Sequence, residues 1–225
     1  MTFRQQGHCD YPLTELGISQ AIARGASLKD ENWDVVFSSD LFRAFNTTKI
    51  ILAQQSVRTY SDDSIKQTPL LRELSFGVRE GLSRALTTKE CIAEVALRRN
   101  IPVEDVFDTA ESMQSVLQRQ VEFLARLKYL CLAAQQNKRN GELLKVLCVA
   151  HGGFIGHFLR NFCPTLVREK PKIGNCSLSI ITIEWPADDK VVNAEEVELV
   201  VAAARDGKYD FTCIGDAAHF NMCIE

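Results

Sequence analysis

Val149-Ala150-His151-Gly152-Gly153 places a histidine and two glycines where an apolar run ends and a helical pattern begins. In open α/β sheets ligands bind at the carboxyl ends of strands, and the first turn of the next helix offers backbone N–H groups to an anion. A histidine there can donate a hydrogen bond to a phosphoryl group and stabilise its charge. Its ordinary alternative is a capping or core histidine in a tight turn. Phe37-Ser38-Ser39-Asp40-Leu41-Phe42-Arg43 repeats the arrangement, with Arg43 in the first turn of the following helix. A guanidinium beside helix N–H groups makes a bidentate phosphate clamp; taken singly it is equally a solvated arginine or a partner for Asp40. The third segment runs from Leu71 to Gly81 and sets Glu73 among arginines and glycines. Glu73 can protonate a leaving oxygen, and the rival reading is a charged loop with exposed ion pairs.

These residues need elements to hold them. Thr14 can cap a helix over about 14–28 whose apolar residues are Leu16, Ile18, Ile22 and Leu28. Trp33 to Phe37 reads as a buried strand, Ser38-Ser39-Asp40 as a turn and Leu41 to Gln54 as a helix. A weak strand is expected near Val57 to Tyr60, and a loop or edge strand after Pro69. Between about 82 and 140 the pattern becomes helical and more polar, breaks at Asn100 to Pro102, and ends in one long amphipathic stretch through Met113, Val116, Leu117, Val121, Leu124, Leu127 and Leu130. This reads as a cap inserted into a single domain spanning 1–225. Leu143 to Ala150 is nearly continuous apolar sequence, the mark of a strand covered on both faces. A helix to about Phe162 follows, then two further strands at Ser177 to Trp185 and Glu198 to Ala203. Alternating strands and helices predict an α/β fold, a doubly wound and mostly parallel sheet with helices on both faces.

Composition narrows the function. The 225 residues carry a formal net charge of -3, with 26 Lys and Arg that form no basic stripe, so nucleic acid and acidic membranes are poor partners. The longest apolar runs are far shorter than the roughly 20 residues of a spanning helix. Eight cysteines without a C-x-x-C pair suggest reduced thiols and a cytoplasmic protein. Cys131, Cys148, Cys163 and Cys176 sit in apolar contexts and read as small buried hydrophobes. Cys213, His219 and Cys223 match no zinc-site spacing, so no metal is expected.

Taken together, four segments resemble the phosphoglycerate-mutase-like histidine phosphatase superfamily. Gln6 to Gly17 resembles its Q-G-x-x-D-x-P-L-T-x-x-G motif and Ser38 to Ala44 its S-S-x-L-x-R-A. Leu71 to Gly81 resembles its L-x-E-x-x-x-G-x-x-E-G, and Ala150 to Gly153 its second histidine motif. The resemblance implies that Arg43 and His151 hold the transferred phosphoryl group, that Glu73 donates a proton, and that Gln6, Gly7 and the N–H of Gly152 contact substrate. It implies no cofactor and a small phosphorylated metabolite as substrate. Gly153 stands where the mutase subgroup has Asn, so the sequence is more similar to the phosphatase branch, which includes the TIGAR-type fructose-2,6-bisphosphatases.

The family's opening R-H-G motif, a central strand with the nucleophilic histidine, has no counterpart in the five residues before Gln6. The expectation is a chain without turnover as written, whose two strands beside that position have unpaired backbone groups. His8 lies in the substrate loop, while His157 and His219 read as structural or exposed. The rival class is a non-catalytic phosphate-binding or interaction protein that keeps the clamp. Oligomeric state is not legible in the sequence.

Overall fold

The computed structural model describes residues 4–135, 144–162, 175 and 176. The order of elements is α1 (Glu15–Ser27), β1 (Val35–Ser39), α2 (Phe42–Ala53), β2 (Ile65–Thr68), α3 (Thr88–Arg99), α4 (Met113–Gln135), β3 (Val146–Val149) and α5 (Gly152–Phe162), with short 3-10 turns between. Three parallel strands form the described sheet in the order β2-β1-β3.

All five residues of β1 are buried because both faces of the strand are covered. Val35 and Phe37 point to a core built with α4 and α5, where Phe37 meets Phe123 edge to face with ring centroids 5.4 Å apart. Val36 points the other way, to Leu28, Trp33, Ile51, Leu52 and Ile65. The period-two alternation thus serves two apolar layers, and the α/β architecture with helices on both faces is as expected.

Helix starts follow their chemistry. Thr14 caps α1 by accepting from the Gly17 N–H at 3.1 Å. Thr87 and Glu90 form a capping box on α3. Leu41 has no capping side chain, so Asp10 reaches across from the N-terminal loop and accepts the Phe42 N–H at 2.7 Å.

Several expectations need correction. Helix α1 exposes Leu16, Ile18 and Ile22 and buries Gln20, Ala21, Arg24 and Gly25. Close approach to α2 decides this, since a Cβ on Gly25 would lie 2.9 Å from the Ile51 carbonyl oxygen. The second strand is at 65–68 rather than 57–60; Val57 is exposed, whereas Ile65 is buried against Trp33 and Ile51. Strand β3 is half-covered among the described residues, and Cys148 is exposed rather than buried. β1 pairs with β2 on one side and with β3 on the other, the latter from Val35↔Val146 to Ser38↔Val149, so its N–H and C=O groups have partners along both edges. The two strands expected at 177–185 and 198–203, and Cys163, Cys213, His219 and Cys223, lie outside the described residues. Among the described residues no helix is long and apolar enough to cross a membrane.

Candidate active site

Arg43, Glu73 and His151 come from three different segments and meet at the carboxyl ends of β1 and β3. The parallel register aligns those ends: Ser39 closes β1, and His151 follows β3 and precedes α5. His151 Nε2 is 2.9 Å from the Ser39 hydroxyl, and that hydroxyl also accepts the Leu41 N–H at 3.3 Å. The imidazole is buried. Burial, reinforced by the Arg43, Arg119 and His8 charges, pushes its pKa from 6.5 down to about 3. At neutral pH His151 therefore offers a hydrogen bond, not a charge.

Glu73 reaches the start of α5. Its carboxylate accepts the N–H groups of Gly153 at 3.0 Å and Phe154 at 2.9 Å, and that of Leu74 at 2.9 Å. The positive end of the helix dipole favours a carboxylate there. A Cβ on Gly153 would collide with Glu73 Oε1, so the absence of a side chain at 153 is what admits the carboxylate.

Arg43 leans over the N-terminal loop and donates to the carbonyls of Cys9 and Gly7, both at 2.8 Å. Two of its five N–H donors are thereby used. Burial lowers its pKa, opposed by Glu73 and Asp10, and the guanidinium remains a cation. Asp40 does not pair with Arg43. It holds Arg72 in a fork, with Nε at 2.7 Å and Nη2 at 2.5 Å, which leaves Arg43 for the loop.

Of the expected substrate contacts, Gly7 is buried under Arg43, and Gln6 is exposed with its carbonyl accepting the Cys9 N–H at 2.9 Å. Gly152 is exposed as the first residue of α5. The helix N–H groups that hold an anion here belong to the next two residues. His157 lies half-buried within α5.

Sequence reasoning assigned no role to three contributors, Glu80, Glu111 and Arg119, and placed His8 in the loop without its partner. Glu80 Oε1 accepts from the His8 N–H at 3.0 Å, the Phe76 N–H at 2.9 Å and the Ser75 hydroxyl at 3.1 Å, tying the loop to the Glu73 segment. Burial, then Glu80, pushes the nearby Cys9 thiol up. His8 Nε2 meets the Glu73 carbonyl at 2.8 Å; that acceptor has no hydrogen, so the ring nitrogen donates. Arg119 and its partner Glu111 are both 12% exposed and 2.7 Å apart. An arginine three residues after Val116 and four before Phe123, in the apolar stripe of α4, was the available signal, because a charge in such a stripe is nearly always paired. Among the described residues no group of His, Cys, Asp and Glu is arranged to hold a metal.

A parallel α/β sheet with a cation, a neutral imidazole and a helix start at its carboxyl edge is the framework of a phosphoryl-handling protein. The sequence matches the profile of the Histidine phosphatase superfamily (branch 1) over residues 2–193, and the chain belongs to that family. Its relatives include the bovine fructose-2,6-bisphosphatase TIGAR, 40% identical over 87 residues that cover 39% of this chain and 31% of that protein. The match to the zebrafish TIGAR B spans 27% of that protein's length, so these matches cover less than a third of either relative. A probable phosphoglycerate mutase GpmB of Proteus mirabilis is 29% identical over 195 residues, covering 84% of this chain and 83% of its own. Among solved structures, a phosphoglycerate mutase of Bacillus anthracis shares the fold at a TM-score of 0.62 and 22% identity, over 99% of this chain and 89% of its own. A putative alpha-ribazole-5'-P phosphatase of Escherichia coli has a TM-score of 0.51 and 27% identity over 71% of each chain.

Proposed function

We propose that the protein is a phosphoric monoester hydrolase acting on a small phosphorylated metabolite in the cytoplasm, with fructose 2,6-bisphosphate as the first substrate to test. The observation that carries this reading is the convergence of Arg43, His151, Glu73 and the first turn of α5 at one sheet edge. The 40% identity to bovine TIGAR over 87 residues supports the substrate.

In this reading the remaining donors of Arg43 grip the phosphoryl oxygens, and His151 adds a hydrogen bond without adding charge. The N–H groups of Gly153 and Phe154 serve the same anion once Glu73 yields them. In its protonated form the Glu73 carboxyl delivers a proton to a leaving oxygen. Gln6, Gly7 and Gly152 line the approach, and the cap over about 82–140 selects the rest of the substrate.

A second reading is a phosphate-binding protein without turnover. It is favoured by the state of the two histidines at the site, since His8 and His151 each have Nε2 in a hydrogen bond, to the Glu73 carbonyl and the Ser39 hydroxyl. Phosphate release from p-nitrophenyl phosphate and fructose 2,6-bisphosphate, with His151→Ala as control and a thermal melt of each sample, separates the two. The hydrolase releases phosphate and loses about 100-fold of the rate in the variant; the binding protein melts cooperatively and releases none.

A further inference from the structure

Helix α4 contributes no group to the phosphoryl site, yet two adjacent residues on it hold both segments that meet at the Glu73 carboxylate. Arg119 spends all five of its donors. Nε and Nη2 form a fork on Glu111 at 2.7 and 3.0 Å. Nη1 donates to the Leu70 and Arg72 carbonyls at 3.0 and 2.7 Å, and Nη2 to the Glu73 carbonyl at 3.3 Å. Glu111 grips the far side of the same segment: its N–H donates to the Ser75 carbonyl at 2.9 Å, and its Oε2 accepts the Ser75 N–H at 3.4 Å. The chain is thus pinned before, at and after Glu73.

The next residue holds the other half. Gln120 is fully buried; its Nε2 donates to the Phe154 carbonyl at 3.2 Å, and its Oε1 accepts from Asn161 at 2.8 Å. Phe154 is the residue whose N–H meets Glu73 Oε1, and its ring lies under the Arg119 guanidinium, 4.9 Å from ring centroid to the central carbon. One rigid helix therefore fixes the Glu73 backbone and the first turn of α5 against each other.

We infer that Arg119 is a positioning residue that sets where the Glu73 carboxyl stands relative to the α5 amides, without touching the ligand. This rests on the hydrolase reading above for its kinetic consequence and on the geometry alone for its structural one. Lysine in this place keeps the charge but has three donors radiating from one nitrogen instead of a planar fork, so it cannot hold three carbonyls and a carboxylate together. A displacement of about 1 Å at a proton donor costs on the order of 100-fold in rate.

The test compares Arg119→Lys and Glu111→Gln with the parent chain by steady-state phosphate release and by amide NMR. In Arg119→Lys kcat falls on the order of 100-fold with KM nearly unchanged. The Gly153 and Phe154 amide resonances move while those of Val36 and Lys66 stay. Glu111→Gln shifts the same two amides by less, and carries the comparison alone if Arg119→Lys melts without cooperativity. A merely structural arginine lowers the melting temperature but leaves kcat per folded molecule and both amides in place; that result overturns the inference. If the parent releases no phosphate, the hydrolase reading fails on its own. The amides then decide: movement upholds Arg119 as the residue that positions Glu73, and no movement overturns it.

Discussion

The Glu73 carboxylate rests on the backbone N–H of Gly153, 3.0 Å away and 80 residues further along the chain. The contact exists because position 153 has no Cβ to collide with Glu73 Oε1. Gly153→Ala therefore moves the carboxylate off the helix while leaving every charge in place. Alanine is the better helix former by about 1 kcal/mol, so the melting temperature holds or rises slightly. Phosphate release falls roughly 10- to 100-fold. Kinetics and a melt on one sample check both halves.

Arg43 joins loop and site through the carbonyls of Gly7 and Cys9. Arg43→Ala removes the proposed clamp and frees that loop, so phosphate affinity by calorimetry should fall at least about 10-fold, as expected for a lost charge-assisted pair. Arg43→Lys keeps the charge without the fork and should recover only part of the loss. Equal affinity in Arg43→Ala and the parent contradicts the assignment.

Burial and the Arg43 charge hold the folded-state pKa of His151 at about 3, against 6.5 for an ordinary histidine. Between those values the unfolded chain binds a proton that the folded chain does not. Stability is therefore intact above about pH 6.5 and drains as pH falls, by at most about 1.4 kcal/mol per pH unit. From pH 7 to pH 5 this is about 2 kcal/mol, or roughly 4–8 °C for a chain of this size. Scanning calorimetry of the parent and of His151→Gln measures it; the variant should lack this part of the acid loss.

The close contact between α1 and α2 is tested by Gly25→Ala. The new Cβ would press on the Ile51 carbonyl oxygen at 2.9 Å, and backbone cannot swing aside as a side chain can. Overpacking of this kind costs about 1–3 kcal/mol, partly offset by the better helix propensity of alanine. Urea denaturation should show a lower midpoint without a change in slope. An unchanged midpoint would mean that the helices separate without cost.

What the sequence revealed, and what it hid, divides along physical lines. α1, β1, α2 and α5 were legible because their signals are local: a capping threonine, a β-branched run stopped by serines, glycines where a strand yields to a helix. The buried face of α1 was not legible from its apolar spacing. Contact with α2 selects small residues, Ala21 and Gly25, over Leu16 and Ile22. Strand β2 was misplaced because only Ile65 and Thr68 of its four residues are buried, while Val57 to Tyr60 has the stronger β-branched and aromatic character. Arg43, Glu73 and His151 were singled out from motif and strand-end position, and the structure brings the three to one sheet edge. Their supports were not found, because Arg119, Glu111 and Glu80 act through contacts between segments far apart in sequence.

Leaving-group dependence tests the role of Glu73 most directly. A nitrophenolate departs without needing a proton, whereas a sugar alkoxide does not. In Glu73→Gln the rate of phosphate release from fructose 2,6-bisphosphate should fall by about 100- to 10,000-fold, and the rate from p-nitrophenyl phosphate far less. Equal losses on the two substrates, or no loss on either, would contradict the account of Glu73 as the proton donor at this site.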